Sequence, residues 1–165
     1  MASGDSLLQW SMLSNEPPTT AFATPDLRNL HPVLDFAPTP DEEAVFSGVM
    51  PQHYTAAASV VVFIHYAMST ATTGDIVLDA QFERVGDGSQ DIDADGFAAV
   101  QSLTVVGVPA TSGNVDIVSI TFTSAQADAI AKGEGFRLKI RRDGDNVADT
   151  AAGDLELRWV ELREA

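Results

Sequence analysis

The residues of this 165-residue sequence that could do chemistry are few: three histidines, two Asp-rich stretches and no cysteine. Without cysteine, disulfides and thiolate metal sites are excluded. His31 falls in a Pro-rich segment, His53 in a turn and His65 at the end of an apolar run. No two have the spacing of a helical His pair, which metal binding from one face would need. His65 reads as a hydrogen-bonded core group. There is no Gly-x-Ser-x-Gly elbow for a serine nucleophile and no Gly-x-x-x-x-Gly-Lys loop to cradle phosphate. No catalytic residue is assigned, and no cofactor is expected.

The acidic stretches carry the remaining chemistry. Asp91-Ile92-Asp93-Ala94-Asp95-Gly96 repeats the first half of an EF-hand loop, with acids at positions one, three and five and Gly at six. The twelfth position is Ser102 rather than a bidentate Glu, and no helices flank the loop, so the EF-hand reading fails. A looser calcium site formed by Asp87, Asp91, Asp93 and Asp95 is the one metal candidate. Its alternative is a solvated turn in which Asp side chains bond nearby amides. A second cluster, Asp143, Asp145, Asn146, Asp149 and Asp154, has the same two readings, and Asp143 or Asp145 could pair with Arg141 or Arg142.

The length implies one domain, with at most an added arm. A net charge of −15 and a pI near 4.2 argue against partners held through phosphates, so neither nucleic acid nor an anionic membrane is expected. No run approaches the roughly 20 apolar residues of a membrane helix. The N-terminus lacks the basic and apolar regions of a secretory signal. Residues 1–40 hold six of the eight prolines together with Leu7, Leu8, Trp10, Met12, Leu13 and Phe22. This composition predicts an extended Pro-rich arm, and those six apolar residues are its candidate partner-binding groups. The arm either packs on its own domain or lies across a neighbouring subunit.

Residues 41–165 read as all-β. Strands are expected at Glu43–Met50, Ser59–Tyr66, Asp75–Arg84, Val100–Val108, Val115–Thr123 and from Gly135, with a short one at Val33–Phe36 in the arm. Phe136, Leu138 and Ile140 alternate with Arg137, Lys139 and Arg141, the period of a strand with one wet face. A last strand, Leu155 to Leu162, would close a hairpin with it around the acidic loop. Most of the chain's Lys and Arg then point outward from these two strands. The apolar register flips between Trp159 and Val160, where a β-bulge would re-aim the strand. Ser124–Gly133 reads as one short helix, capped by Ser124 and ended by Gly133. About eight strands and one helix make a jelly-roll-like β-sandwich the expected architecture, with an immunoglobulin-like sandwich second.

Several segments in order carry a resemblance: Phe46–Tyr54, Thr72–Val77, Phe82–Arg84, Asp91–Phe97, Pro109–Gly113, Gly135–Leu138 and Arg142–Thr150. Together they resemble a group of tailed-bacteriophage and prophage virion structural proteins, over most of residues 40–165. The resemblance implies a non-enzymatic capsid decoration (cement) protein, or a head-fibre or tail-associated module. Its partners would be the major capsid protein and further copies of itself, as a homotrimer. Its place would be the capsid surface, after synthesis in the host cytoplasm. The alternative on the same fold is a carbohydrate- or receptor-binding sandwich module of a phage tail or head fibre. A metal-dependent cupin enzyme is the third reading, disfavoured because only His65 lies convincingly on a strand.

Overall fold

The computed structural model describes residues 4–165. Ten strands carry the chain: β1 (Ser6–Ser11), β2 (Thr24–Arg28), β3 (His31–Phe36), β4 (Glu42–Val49), β5 (Val60–Met68), β6 (Ile76–Val85), β7 (Gln101–Val105), β8 (Asp116–Phe122), β9 (Gly135–Arg142) and β10 (Leu155–Glu164). They form two antiparallel sheets packed face to face. The larger has six strands in the order β2-β3-β10-β5-β8, with β1 also paired to β10. The smaller has the order β4-β9-β6-β7. The fold class is all-β, as the alternating patterns predict, with ten strands rather than about eight because β1 and β2 lie in the Pro-rich segment.

The core lies between the sheets. Phe46, Leu78, Phe82, Phe136, Leu138 and Ile140 of the smaller sheet meet Leu34, Phe36, Val62, Ile64, Leu157 and Val160 of the larger. β5 is apolar on both faces, as befits an interior strand. β10 is the spine of the larger sheet. It pairs β5 from Leu155 to Glu164. Its other edge is shared between β3, up to Leu157, and β1, from Trp159.

Three expectations are corrected. β9 and β10 are not a hairpin, because they lie in different sheets and the Asp-rich loop crosses between them. Ser124–Gly133 is a run of turns, and the single turn of 3-10 helix at Met12–Ser14 is the one helical element among the described residues. Asp128 and Ala129 take left-handed backbone conformations (φ 57° and 52°), which lets the Asp128 carboxylate accept the Arg84 amide at 2.8 Å while Ala127 and Ile130 stay buried. A helix this short gains too little from its own hydrogen bonds to outweigh those contacts.

The third correction concerns residues 1–40. From Ser6 onward they are woven into the sandwich rather than set apart as an arm. Leu7, Trp10 and Met12 are buried, and Leu8 packs against the same core. Gly48 makes room for them, since a Cβ there would come within 2.9 Å of Leu8 and 3.1 Å of the Trp10 ring. The Trp10 indole N–H donates to the Ser47 carbonyl at 2.8 Å. Further on, Glu16 N–H donates to Val45 O and Ala23 N–H to Glu43 O, covering the free edge of β4. Pro17 and Pro18 fit the stretch between β1 and β2, which forms only occasional ladder bonds, and Pro25 fits β2 because that strand is at the sheet edge. Leu13 and Phe22 are exposed.

One side chain ties the layers together. Arg142, at the end of β9, is wholly buried. Its guanidinium donates twice to Asp149, at 3.0 and 2.7 Å, and to the carbonyls of Phe36, Gly153 and Ala151. Asp149 also accepts the Val77 amide at 3.1 Å. Arg142→Met would leave a buried carboxylate and three carbonyls without their donor. It is expected to cost about 3–5 kcal/mol and to lower Tm by on the order of 10 °C, read by urea and thermal melts. The double variant Arg142→Met/Asp149→Asn should recover part of that loss.

Candidate functional site

β10 carries the sequence Leu155-Glu156-Leu157-Arg158-Trp159-Val160-Glu161-Leu162. Ahead of Arg158 the odd-numbered residues face the core, and beyond it the even-numbered ones do. The pairing with β5 accommodates this by a register shift between Leu157 and Trp159, a bulge with Arg158 as the extra residue. Simple alternation would group Trp159 with Leu155 and Leu157 on the core face. The bulge turns it instead to the outer face of the larger sheet, where it is 45% exposed.

An aromatic platform builds outward from Trp159. His65 is its cross-strand partner on β5, with the rings edge to face at 6.4 Å. The Arg158 guanidinium lies 4.2 Å from the Trp159 ring centroid. Two and four residues further along β10, Glu161 sits opposite Phe63, and Arg163 stacks over Phe63 at 4.2 Å. Trp159 to Arg163 spans roughly 13 Å of strand. Glu161 accepts from Ser6 Oγ at 2.7 Å, Gln9 Nε2 at 3.3 Å and Arg163 at 2.7 Å. The Arg163 hydrogen bond leads in holding its carboxyl down at about 2. Burial, aided by Arg163, pushes His65 below the usual histidine range, so the imidazole is neutral at neutral pH.

A cleft of about 350 Å³ opens on one side of Trp159, between the sheet and the β2–β3 hairpin. Asn29 and Leu30 form the hairpin turn with φ of 45° and 65°, the two left-handed positions of a two-residue connection. Arg28 reaches over the sheet to the carbonyls of Met68 (3.1 Å) and Ser69 (3.4 Å), the Ser112 hydroxyl (3.2 Å) and Glu156 (2.5 Å). Gly113, at φ 82°, leaves space for this, because a Cβ would stand 2.7 Å from the guanidinium. Asn29, His31 and Arg158 also line the cleft. On the other side of Trp159 a hollow of about 160 Å³ is lined by Gln9, His65 and Glu161.

The residues singled out from the sequence are dispersed. Asp91 and Asp95 accept the amides of Asp93 and Gly96, which are the local turn bonds of the alternative reading. Among the described residues no group of three or more His, Cys, Asp or Glu could hold a metal ion. Asp149 serves Arg142, and Asp143 lies 3.7 Å from Arg141. His65 is on the platform, His31 lines the cleft and His53 joins neither. Of the six apolar residues of residues 1–40, Leu7, Trp10 and Met12 are core, whereas Leu13 and Phe22 face solvent. Arg158 and the exposure of Trp159 went unrecognised in the sequence. The flip of apolar register beside Trp159 was their signal.

No family model and no characterised protein matches the sequence. Solved structures match the shape. The CBM22-2 xylan-binding domain of Xyn10C from Paenibacillus barcinonensis superposes with a TM-score of 0.54 at 13% identity, covering 97% of this chain and 100% of that one. The C-terminal CBM6 of the laminarinase LamC from Zobellia galactanivorans gives 0.51 at 10% identity, covering 95% and 98%. A xylan-binding module, CBM15, gives 0.51 at 12% identity, covering 98% of both chains. The fold is a jelly-roll β-sandwich.

Beside the cleft, Asp35 on β3 stands opposite Glu156 on β10. One of its carboxylate oxygens is buried without a hydrogen-bond partner. Burial first, then Asp26, Glu156 and Asp154, raise its pKa from 3.8 to about 7. The fold therefore favours protonated Asp35, and its contribution to stability is lost as pH rises from about 4 through about 7. Asp35→Asn is expected to raise Tm at pH 8 relative to the parent, with a gain that shrinks as the pH is lowered to 4. Paired thermal melts across that range check it.

Proposed function

We propose that this chain is a non-enzymatic carbohydrate-binding module whose ligand lies along the outer face of β10 and β5. The observation that carries the reading is Trp159, turned to solvent by a bulge and set between two clefts whose walls mix apolar surface with polar side chains. A sugar ring presents an apolar C–H face and a rim of hydroxyls. An exposed indole flanked by amide, imidazole and guanidinium groups complements both. The titratable members of the platform are held in fixed states, Glu161 ionised by Arg163 and His65 neutral by burial, which suits recognition better than proton exchange. Modules of the same fold named for xylan binding, or belonging to a laminarinase, support the assignment of ligand class.

The test is affinity electrophoresis through gels containing soluble xylan, laminarin or mannan. Retardation by at least one is expected, with Trp159→Ala weakening it roughly tenfold or more, since one large apolar contact is worth about 1.5–3 kcal/mol. Circular dichroism of the variant should match the parent. Unretarded migration in every gel rejects the proposal.

A second reading keeps the resemblance to phage structural proteins, as a decoration protein that binds the major capsid protein and copies of itself. One structural observation favours it. Leu30 is 87% exposed in a left-handed conformation that glycine would take without strain, near the exposed Leu27. Leu13 and Leu27 line an apolar groove with Met12, Pro25 and Leu34. Such a surface suits contact between subunits. Analytical ultracentrifugation distinguishes the readings: a trimer that dissociates on Leu30→Asp favours decoration, and a monomer at high concentration excludes self-assembly through this surface.

A further inference from the structure

Resting on the carbohydrate-binding reading, we infer that the cleft beside Trp159 recognises a carboxylate-bearing sugar, a uronic-acid residue, through the guanidinium of Arg158. The argument begins with where the chain uses its positive charge. Arg28, Arg84, Arg137, Lys139, Arg141, Arg142 and Arg163 each pair with a carboxylate of the protein. On the outer face of the smaller sheet three of them form a ladder, Arg137 with Glu83, Lys139 with Glu43 and Arg141 with Asp79. Among the described residues only Arg158 and Lys132 lack such a partner. In a chain of net charge −15, with 24 acidic residues against nine basic ones, an unpaired arginine at a cleft is a departure from the general pattern.

Arg158 is held in place. Its guanidinium stacks on Trp159, and one Nη1–H donates to the Pro32 carbonyl of the hairpin. Its other N–H groups find no hydrogen-bond partner among the described residues. A planar guanidinium fixed on one edge and unfilled on another is the geometry that accepts a carboxylate through paired hydrogen bonds. Arg28 stands across the cleft with its charge offset by Glu156, the one carboxylate lining it. Asp26, Asp154 and Glu156 gather around Asp35, and of these four acids only Glu156 lines the cleft. The lining therefore carries two guanidiniums against one carboxylate. His31 and Asn29 add hydrogen-bonding groups for the sugar hydroxyls. A ligand carboxylate on Arg158 would place its ring beside the exposed indole.

Two probes separate this inference from the reading beneath it: polygalacturonate and its fully methyl-esterified form, which share a sugar backbone and differ in charge. Polygalacturonate is expected to bind about tenfold more tightly, as charge-assisted hydrogen bonds dictate, and against the repulsion of the protein's net charge. Arg158→Gln should erase the preference. Arg158→Lys, which keeps the charge and loses the fork, should retain a part of it and serves if the glutamine variant misfolds. Lys132→Gln removes the other unpaired cation, beyond the far end of β8, and should leave the preference intact. Equal binding of the two probes, binding of neutral polysaccharides alone, or a preference surviving Arg158→Gln overturns the inference while sugar binding stands. Binding of no polysaccharide overturns both.

Discussion

The structure depends on the buried guanidinium of Arg142. Two sheets packed through apolar faces have no directional reason to sit in one relative position, because hydrophobic burial is indifferent to small slides. Arg142 supplies direction. It belongs to β9 of the smaller sheet, holds the Phe36 carbonyl at the end of β3 in the larger, and binds three groups of the loop that crosses between them. Asp149 extends the network to β6 through the Val77 amide. A cation is tolerated in this interior because a carboxylate neutralises it and carbonyls receive its remaining donors. The loop that looked like a hairpin connection or a calcium site is thus the joint between layers.

The legible parts of the sequence are those where one strand's own alternation decides its fate. β9, with Arg137, Lys139 and Arg141 against Phe136, Leu138 and Ile140, needs no knowledge of its neighbours. The doubly apolar β5 was legible for the same reason, since only an interior strand wants both faces dry. The failures are non-local. β1 and β2 sit among prolines, and nothing in Ser6–Ser11 announces that Trp10 fills the space left by Gly48. The alanines of 124–133 favour helix, but the buried Ile130 and the bond from Arg84 to Asp128 set the conformation from outside the segment. The acids of 91–95 have cation-site spacing and spend it on amides two residues away or fewer.

The binding face shows the same division. A change of register near Trp159 can be read from the order of apolar residues. Which side of the change Trp159 occupies is decided by β5, whose pairing places the extra residue at 158. The freedom of Arg158 is less legible still, because it is defined by what all the other cations do. Only once their carboxylates are located does one arginine stand apart.

The extra residue in β10 frees the boundary between interior and surface from the count of residues along the strand. Every side chain from Trp159 to Glu164 owes its side of the sheet to its partner on β5, because the bulge takes up the odd residue. Exchange of Arg158 for another residue leaves that count alone, so chemistry at this position can drift while the architecture persists. Loss of the residue would straighten the strand into regular alternation after Leu157, with Trp159 and Glu161 still outward and Val160 and Leu162 still inward. The bulge thus holds one residue that the interior can do without, and what its loss would remove is the Arg158 guanidinium of the outer face.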